Sequence, residues 1–261
     1  MNLSFYKYHG TGNDFILIDN REGDPLRLRE KQIEHLCHRR FGIGGDGLLI
    51  MAKHADYDFE MIYYNADGKP GSMCGNGGRC MIQFAFDRGL HHYTYKFLAS
   101  DGPHEGEIDN NGVVRLKMND VTKLDEHNNY TVLDTGSPHF VRFVNDLDDV
   151  DVVETGRGIR NSDQFKKNGI NVNFVQNMGD DHIYVRTYER GVEDETFSCG
   201  TGVTAAALLS AHNQRGFNRV SVQTPGGMLS VEFNKSNDQT FEDIWLCGSV
   251  TFVYKGEVVI P

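Results

Sequence analysis

The sequence predicts an α+β protein built from two similar domains, and two observations carry that prediction. Strand-like runs rich in β-branched and aromatic residues dominate the 261-residue chain, whereas helical patterns are few. A pattern of loop, cysteine, glycines and apolar helix occurs twice, around Cys74 and around Cys199. At this length we expect one large domain or two modest ones, with cores that need no disulfides.

The strand-like runs are separated by clusters of Gly, Asn and Asp, which favour turns. In chain order they are Leu3–Tyr8, Phe15–Asp19, Leu48–Met51, Asp58–Tyr64, Val113–Met118, Tyr130–Asp134, His139–Val144, Asn171–Gln176, His182–Tyr188, Val220–Gln223, Met228–Phe233, Ile244–Tyr254 and Glu257–Ile260.

Three segments show the helical spacing of apolar residues: Arg29–Arg40, Gly77–Arg88 and Gly202–Gln214. The third is rich in Ala and Leu and carries almost no charge until its end, so we expect it to be buried on nearly every side. Because a buried helix needs a sheet around it, the class is α+β.

The two cysteine segments are embedded in similar surroundings. Asn65-Ala-Asp-Gly precedes Ser72-Met-Cys74-Gly-Asn-Gly in the first half, and Glu189-Arg-Gly precedes Phe197-Ser-Cys199-Gly-Thr-Gly in the second. The polar element lies 9 residues before the first cysteine (74 − 65) and 10 before the second (199 − 189). The cysteines are 125 residues apart (199 − 74), close to half the chain. We therefore predict a first domain over 1–118 and a second over 119–249.

Composition narrows the class of protein. The chain has 26 Lys and Arg against 37 Asp and Glu, a formal net charge of −11, which argues against a role dominated by DNA or RNA. Hydrophobic residues make up 39% and charged residues 24%, a globular balance. No apolar run approaches the ~20 residues of a membrane span, and no signal-peptide pattern is visible. We expect a cytoplasmic enzyme or binding protein without a membrane or nucleic-acid partner.

The cysteine and glycine contents point to chemistry. The five cysteines cannot all pair with one another, because their number is odd. The 29 glycines among 261 residues are about 11% of the chain, above the ~7% typical of proteins. A cysteine at a helix start has its thiolate stabilised by unpaired N–H groups and the helix dipole. Glycines after it let the backbone approach an anion. Two such units could take a proton from one face of a carbon and return one to the other face, which inverts a stereocentre.

Other interpretations of the cysteines carry less weight. Cys37, Cys80 and Cys247 are interpreted as small packing residues. A zinc site is not expected, because neither a C-x₂-C nor a His-x₃-His spacing is present. A cysteine hydrolase would need a partner such as His9 or His139 and would leave the second cysteine segment unexplained.

The chain resembles the diaminopimelate epimerase family in an ordered series of motifs along nearly its whole length. The motifs are His9-Gly-Thr-Gly-Asn13-Asp-Phe15, Gly42-Ile-Gly-Gly-Asp46-Gly-Leu, Asn65-Ala-Asp-Gly, Met73-Cys74-Gly75-Asn76-Gly77-Gly78-Arg79-Cys80, Thr135-Gly-Ser137-Pro138-His139, Asn171-Val-Asn-Phe-Val-Gln, Tyr188-Glu189-Arg190-Gly191 and Cys199-Gly200-Thr201-Gly202. Each is weak alone, but the ordered set with both cysteine segments is specific.

The resemblance implies two pseudo-symmetric domains, each a curled, mostly antiparallel sheet around a central helix, with the substrate in the cleft. It implies that a terminal strand over 250–261 returns to the first domain, and that LL- and meso-diaminopimelate are interconverted without pyridoxal phosphate, metal or other cofactor. Many members are homodimers, so a homodimer is expected. By motif, Cys74 and Cys199 would be the acid and base.

The remaining site residues follow from the same resemblance. The α-carboxylate at the reacting carbon would be held by Gly75, Asn76, Gly200 and Thr201. The other charged groups of the substrate would be held by Asn13, Asn65, Asn171, Glu189 and Arg190. An arginine fork suits a carboxylate, although a Glu-Arg pair is more often a solvated ion pair. For His139 two readings stay open, orienting the site or packing.

Two positions depart from the family pattern. Ser137 stands where other members carry Asn, and Gly47 stands where some carry Gln, so distal substrate recognition could differ. Two other functions remain open from the residues: a related racemase for proline or hydroxyproline, and a non-catalytic small-anion binding protein of the same fold. A substrate without a second amino-acid centre has less need of the opposite charges of Glu189 and Arg190.

Overall fold

A computed structural model describes residues 2–71, 73–179 and 181–260. It divides the chain into two compact units. The first unit runs up to Leu116 and resumes at Gly248, and the second is the continuous segment Lys117–Cys247. The boundaries predicted after 118 and after 249 lie close to the observed ones, after 116 and after 247. Position 261, the end of the predicted terminal strand, lies outside the described residues.

Within its described residues, the first unit contains two helices and eight strands. They are β1 (Asn2–Gly10), β2 (Asn13–Asn20), α1 (Glu30–Cys37), β3 (Gly47–Ala52), β4 (Phe59–Asn65), α2 (Gly75–Asp87), β5 (Thr94–Ala99), β6 (Gly102–Ile108), β7 (Val114–Lys117), whose last residue crosses the boundary, and, from the chain end, β17 (Thr251–Val259). The terminal strand β17 pairs antiparallel with β1.

The part of the second unit that the structure describes contains two further helices and nine strands. They are β8 (Asp125–Glu126), β9 (Thr131–Asp134), β10 (Pro138–Val144), α3 (Val152–Arg160), β11 (Asn171–Gly179), β12 (His182–Glu189), β13 (Asp194–Thr196), α4 (Gly200–Leu209), β14 (Gly216–Thr224), β15 (Gly227–Lys235) and β16 (Phe241–Gly248), which ends one residue past the boundary.

The two units repeat one order of elements and strand directions. In the first, β1–β2 is antiparallel, β2–β3 parallel, β3–β4 antiparallel, β4–β5 parallel and β5–β6 antiparallel. The second gives the same sequence of directions for β9–β10, β10–β11, β11–β12, β12–β14 and β14–β15. The units are therefore two copies of one α+β design with mixed, mostly antiparallel strands.

Each unit packs its strands around one buried helix, as the sequence predicts. Helix α2 lies against β1, β2, β3 and β6, and residues 75–82 are buried on every side. Helix α4 lies against β10, β11, β12, β14 and β15, and residues 202–208 are buried. An apolar helix surrounded by strands in this way loses water from all of its faces, which is the main source of stability for such a core.

Several predicted elements differ from the observed ones. The run Ile244–Tyr254 was predicted as one strand, but β16 ends at Gly248 and β17 begins at Thr251. Helix α4 ends at Leu209, earlier than the predicted Gln214, and the backbone N–H of Ser210 closes its last turn on the Ala207 carbonyl (3.0 Å). Helix α3 was not predicted: its Gly and β-branched residues obscure the helical pattern, although the Asp151 side chain caps it by accepting from the N–H of Glu154.

Candidate active site

Both predicted catalytic cysteines occupy the same structural position, the residue that precedes a buried helix. Cys74 precedes α2 with extended backbone (φ −111°, ψ 122°), and Cys199 precedes α4 in the same way (φ −107°, ψ 110°). The first intrahelical bonds are donated to their carbonyls by Gly78 (2.7 Å) and Val203 (2.8 Å). Each thiol thus lies beside the N–H groups of a first helical turn, where negative charge is stabilised.

Asn13 joins the first cysteine to its helix. Its Oδ1 accepts from the Cys74 Sγ (3.6 Å) and from the Asn76 Nδ2 (3.2 Å). Its Nδ2 donates to Asp46 Oδ2 (2.7 Å). Because a carboxylate can only accept, this last bond fixes which way the Asn13 amide points. Three residues that the sequence assigned to the site, Asn13, Cys74 and Asn76, are therefore brought together.

A buried arginine donates hydrogen bonds to Asn76, a member of the group formed by Asn13, Cys74 and Asn76. Arg79, fully buried in α2, donates from Nη2 to Asn76 Oδ1 (2.8 Å) and to Thr11 Oγ1 (3.3 Å). Thr11 has φ +51°, an uncommon conformation for a β-branched residue. Strain of this kind persists where the surroundings hold the backbone in place. Arg79 was not predicted as a site residue, although a charged residue inside an apolar helix is a signal that the sequence contains.

Two acidic residues hold the turn that carries Asn13. Asp14 pairs with Lys7 (2.6 Å) and Arg39 (2.6 Å), and Arg39 also pairs with Asp46 (2.7 Å). Burial raises the pKa of Asp14, but hydrogen bonds from Arg39 and Lys7 outweigh burial and bring it to about 2. None of these residues was predicted as part of the site, since the contacts join β1, β2 and the loop after α1.

Asn65 and Gly47 face each other across the antiparallel pair β3–β4. Asn65 ends β4 and is exposed, and its backbone closes a turn with Lys69 and Gly68. A Cβ atom on Gly47 would lie 2.6 Å from the ring of Tyr63, so the aromatic ring fills the space of a side chain there. A side chain at position 47 would therefore require the Tyr63 ring to move.

The helical turn that follows the second cysteine is in contact with the loop after β9. Cys199 is buried, and its Sγ lies 3.5 Å from Thr201 Oγ1. Thr135 Oγ1 donates to the Thr201 carbonyl (2.8 Å), which ties the Thr135-Gly-Ser137 turn to the first turn of α4. Gly200 and Thr201 thus lie where the sequence places them, directly after the thiol.

Asn171, Arg190 and Ser137 form a second polar group in this unit. Asn171 Nδ2 donates to Ser137 Oγ (2.9 Å), and its Oδ1 accepts from the Arg190 N–H (2.9 Å). The Arg190 guanidinium donates to Ser137 Oγ (3.3 Å) and to the Asn168 carbonyl (3.0 Å). Ser137 therefore supplies a polar contact to both Asn171 and Arg190. Glu189 lies next along β12 and accepts from Thr196 Oγ1 (3.0 Å).

The cysteine helices rest on different layers in the two units. The apolar layer consists of Phe15, Leu49 and Tyr63, and the polar layer of His139, Asn173 and Thr187. Members correspond at a constant offset of 124 residues (139 − 15, 173 − 49, 187 − 63), and the strand registers agree, since Leu49 faces Tyr63 and Asn173 faces Thr187. A Cβ on Gly77 would meet Leu49 and Phe15 at 3.5 and 3.6 Å, whereas one on Gly202 would meet Asn173 Oδ1 at 2.3 Å.

His139 is the titratable member of the polar layer. It is fully buried, and burial, with a smaller contribution from the nearby charge of Arg190, lowers its pKa to about 3. Asn173 and Thr187 were not predicted as site residues. The signal was a pair of Asn residues, 171 and 173, on one face of an otherwise apolar strand.

The other three cysteines lie in the packed interior. Cys37, Cys80 and Cys247 are buried. Burial raises the pKa of Cys37 to about 12, and it also raises the pKa of Cys80 well above that of a free thiol. Within the described ranges, no three His, Cys, Asp or Glu side chains group together as metal ligands would. No helix among those same residues combines the length and apolar character that a membrane crossing requires.

The fold and the paired cysteine helices define a class of two-unit α+β proteins. A solved structure of a PhzF-family phenazine biosynthesis protein from Bacillus anthracis matches with a TM-score of 0.80 over 100% of both chains, at 14% identity. A hydroxyproline epimerase from Agrobacterium vitis matches with a TM-score of 0.71 over 98% of this chain and 92% of its own, at 13% identity. At such identities the likeness concerns the fold.

Within that class the chain belongs to the diaminopimelate epimerase family. The family model, described as diaminopimelate epimerase, matches residues 5–124 and 131–253. A diaminopimelate epimerase from Flavobacterium psychrophilum is 45% identical over 97% of this chain and 99% of its own, and one from Chlorobaculum tepidum is 42% identical over 96% and 99%. The predicted family and fold class are thereby confirmed.

Proposed function

We propose that this protein is an isomerase that interconverts LL- and meso-2,6-diaminopimelate, a step of lysine and peptidoglycan-precursor biosynthesis. The observation that carries the proposal is membership of the family over nearly the whole chain, with full-length relatives named for this activity. The geometry of each unit supports it, because both cysteines precede buried helices whose first turns follow directly.

The proposed reaction is a proton transfer at the α-carbon by Cys74 and Cys199. One cysteine, as thiolate, takes the α-proton from one face and becomes a thiol. The other, as thiol, gives its proton to the opposite face and becomes a thiolate, so the reverse reaction exchanges the two roles. Charge that develops on the α-carbon and its carboxylate would be stabilised by the helix N-termini.

The substrate carboxylate at the reacting carbon would be held by backbone N–H groups. Gly75 and Asn76 begin α2, and Gly200 and Thr201 begin α4, so their N–H groups precede the first intrahelical bonds. Asn13 Oδ1, already an acceptor for Cys74 and Asn76, would keep the first of these helix starts in place.

The remaining substrate groups would be recognised by charged and amide side chains. A substrate with two ammonium and two carboxylate groups needs donors and acceptors, which Arg190 and Glu189 supply. Asn171 holds the backbone of Arg190, and its partner Ser137 also accepts from the guanidinium. Asn65 would contribute its exposed amide in the first unit.

The cellular setting and assembly belong to the same proposal. A biosynthetic enzyme for a small amino acid fits a cytoplasmic protein, and family membership supports a homodimer that works without an added cofactor. Sedimentation of the purified chain tests the dimer, and a monomer at all concentrations would remove that part.

The decisive experiment is incubation with LL-diaminopimelate in D₂O without cofactor. We expect deuterium at one α-carbon and conversion to the meso form, with activity retained in EDTA and lost on thiol alkylation. Exchange of proline or hydroxyproline instead would assign the protein to the related racemases. Exchange of neither would favour a small-anion binding protein of this fold.

A further inference from the structure

The polar layer of the second unit determines the chemical state of His139. The ring is fully buried, and its Nδ1 lies 3.1 Å from the Nδ2 of Asn173, which is equally buried. An imidazole nitrogen can donate or accept, so this contact alone does not say where the ring proton lies.

The orientation of the Asn173 amide is decided by its other two contacts. Nδ2 donates to the carbonyl of Phe140 (3.0 Å), and Oδ1 accepts from Thr187 Oγ1 (2.9 Å). A carbonyl oxygen can only accept, so a flipped amide would bring two oxygens together at hydrogen-bond distance. Asn173 must therefore present an N–H, not an oxygen, to the His139 ring.

We propose that Asn173 and Thr187 hold His139 as the neutral imidazole with its proton on Nε2, so that His139 serves the bound amino acid as a hydrogen-bond donor and not as a base. Because Nδ1 accepts from Asn173, the single proton of the neutral ring belongs on Nε2. Asn173 and Thr187 are then positioning residues that act through His139.

The surroundings of Nε2 support a ligand as its acceptor. This atom is buried and has no hydrogen-bond partner among residues 2–71, 73–179 and 181–260. A buried donor without an acceptor is costly, and such groups recur where a ligand completes the bond. The network also touches the helix that begins at the second cysteine, because Asn173 Oδ1 packs against Gly202. The acceptor class we infer is a carboxylate oxygen of an amino acid, which rests on the function proposed above.

The charge state agrees with a donor role. The low pKa of His139, caused first by burial and then by Arg190, keeps the ring neutral at physiological pH. A ring so reluctant to take a proton is a poor base for a thiol, whereas its N–H remains a good donor at any pH where the protein is folded.

The direct test is ¹⁵N NMR of the ligand-free protein with labelled histidine side chains, in which the spectrum of His139→Gln identifies the His139 signals among the 11 histidines. We expect a protonated Nε2, an unprotonated Nδ1 and no titration between about pH 5 and 8. A proton on Nδ1, or titration within that range, would overturn the proposal.

Kinetics of variants test the donor role. His139→Phe, which copies Phe15 of the first unit, should lower kcat/KM by about 10²-fold, the usual loss for one site donor. His139→Gln keeps an amide N–H near the position of Nε2 and should recover at least ~10-fold of that loss. Equal losses in both variants would contradict donation by Nε2–H.

Thr187→Val tests whether Thr187 fixes the orientation of the Asn173 amide, because it removes the hydroxyl that donates to Asn173 Oδ1 at nearly constant volume. We expect a second tautomer in the NMR spectrum and a fall in kcat. Thr224→Val is the matched control: Thr224 is also buried in this unit, and its hydroxyl donates to the Gly227 carbonyl (3.0 Å), away from His139 and Asn173 in sequence. The tautomer is read without substrate, so a wrong tautomer and an absent epimerase activity are distinguishable failures.

Discussion

The two units share one design, yet the layer beneath the cysteine helix is apolar in the first and polar in the second. Phe15, Leu49 and Tyr63 fill the position where His139, Asn173 and Thr187 form a chain of hydrogen bonds. The same fold therefore accommodates two different sets of side chains at this position. The proposed role of the polar layer, to hold the His139 ring in one tautomer, is what variants of the two layers can test.

Cys74 and Cys199 occupy the same position in the two units, and their removal should have the largest effect on activity. Cys74→Ala and Cys199→Ala should each lower epimerisation by about 10⁴-fold, because either change removes one of the two proton carriers. Deuterium incorporation and chirality of the product measure the loss. Cys247→Ala, in which a buried thiol near the Trp245 carbonyl is removed, is the matched control. Full activity in Cys74→Ala or in Cys199→Ala would contradict the two-base mechanism.

Exchanging residues between the two layers tests whether each unit tolerates the chemistry of the other. Leu49→Asn buries an amide among apolar side chains and should cost about 2–4 kcal/mol of unfolding free energy. Asn173→Leu leaves His139, Phe140 and Thr187 without a buried partner and should cost about 1–3 kcal/mol and most of the activity. Urea unfolding and steady-state kinetics measure these effects. A neutral Leu49→Asn would mean that the difference between the layers is incidental.

Mild acid should weaken the second unit before the first. The folded pKa of His139 is about 3 and its unfolded value about 6.5, so below pH ~6.5 the unfolded chain gains a proton that the folded chain resists. Stability is thus lost as pH falls from about 6.5 towards 3, by up to ~1.4 kcal/mol per pH unit. In the first unit Asp14, with a pKa of about 2, loses its contribution only as pH falls below about 3.9.

Hydrogen exchange at pH ~7 and ~5 compares the two units directly. Amides of β10 to β12 should lose protection at the lower pH, while those of β1 to β3 keep it. His139→Gln should abolish the difference, since glutamine does not titrate. Equal loss of protection in both units of the unmodified protein would show that His139 does not govern acid stability.

The features that could be predicted from the sequence are those encoded in short, local patterns of residues. Apolar periodicity and glycine placement identified the helices after Cys74 and Cys199 and the α+β class, because burial and helix starts are encoded locally. The roles of Arg79 and Asn173 depend on which strands pair and in which register, information that a single segment does not hold. Strand β6 was missed for a different reason: its Gly and Pro lower the intrinsic strand preference, which pairing with β5 overrides.

The pairing of β17 with β1 makes the first unit discontinuous in sequence, whereas the second unit is one unbroken segment. During synthesis, β1 leaves the ribosome first but meets this partner only when residues 251–259 have been made. The sheet of the first unit therefore gains its β1–β17 pairing only after the whole of the second unit has been synthesised, although all its other strands are made before the second unit.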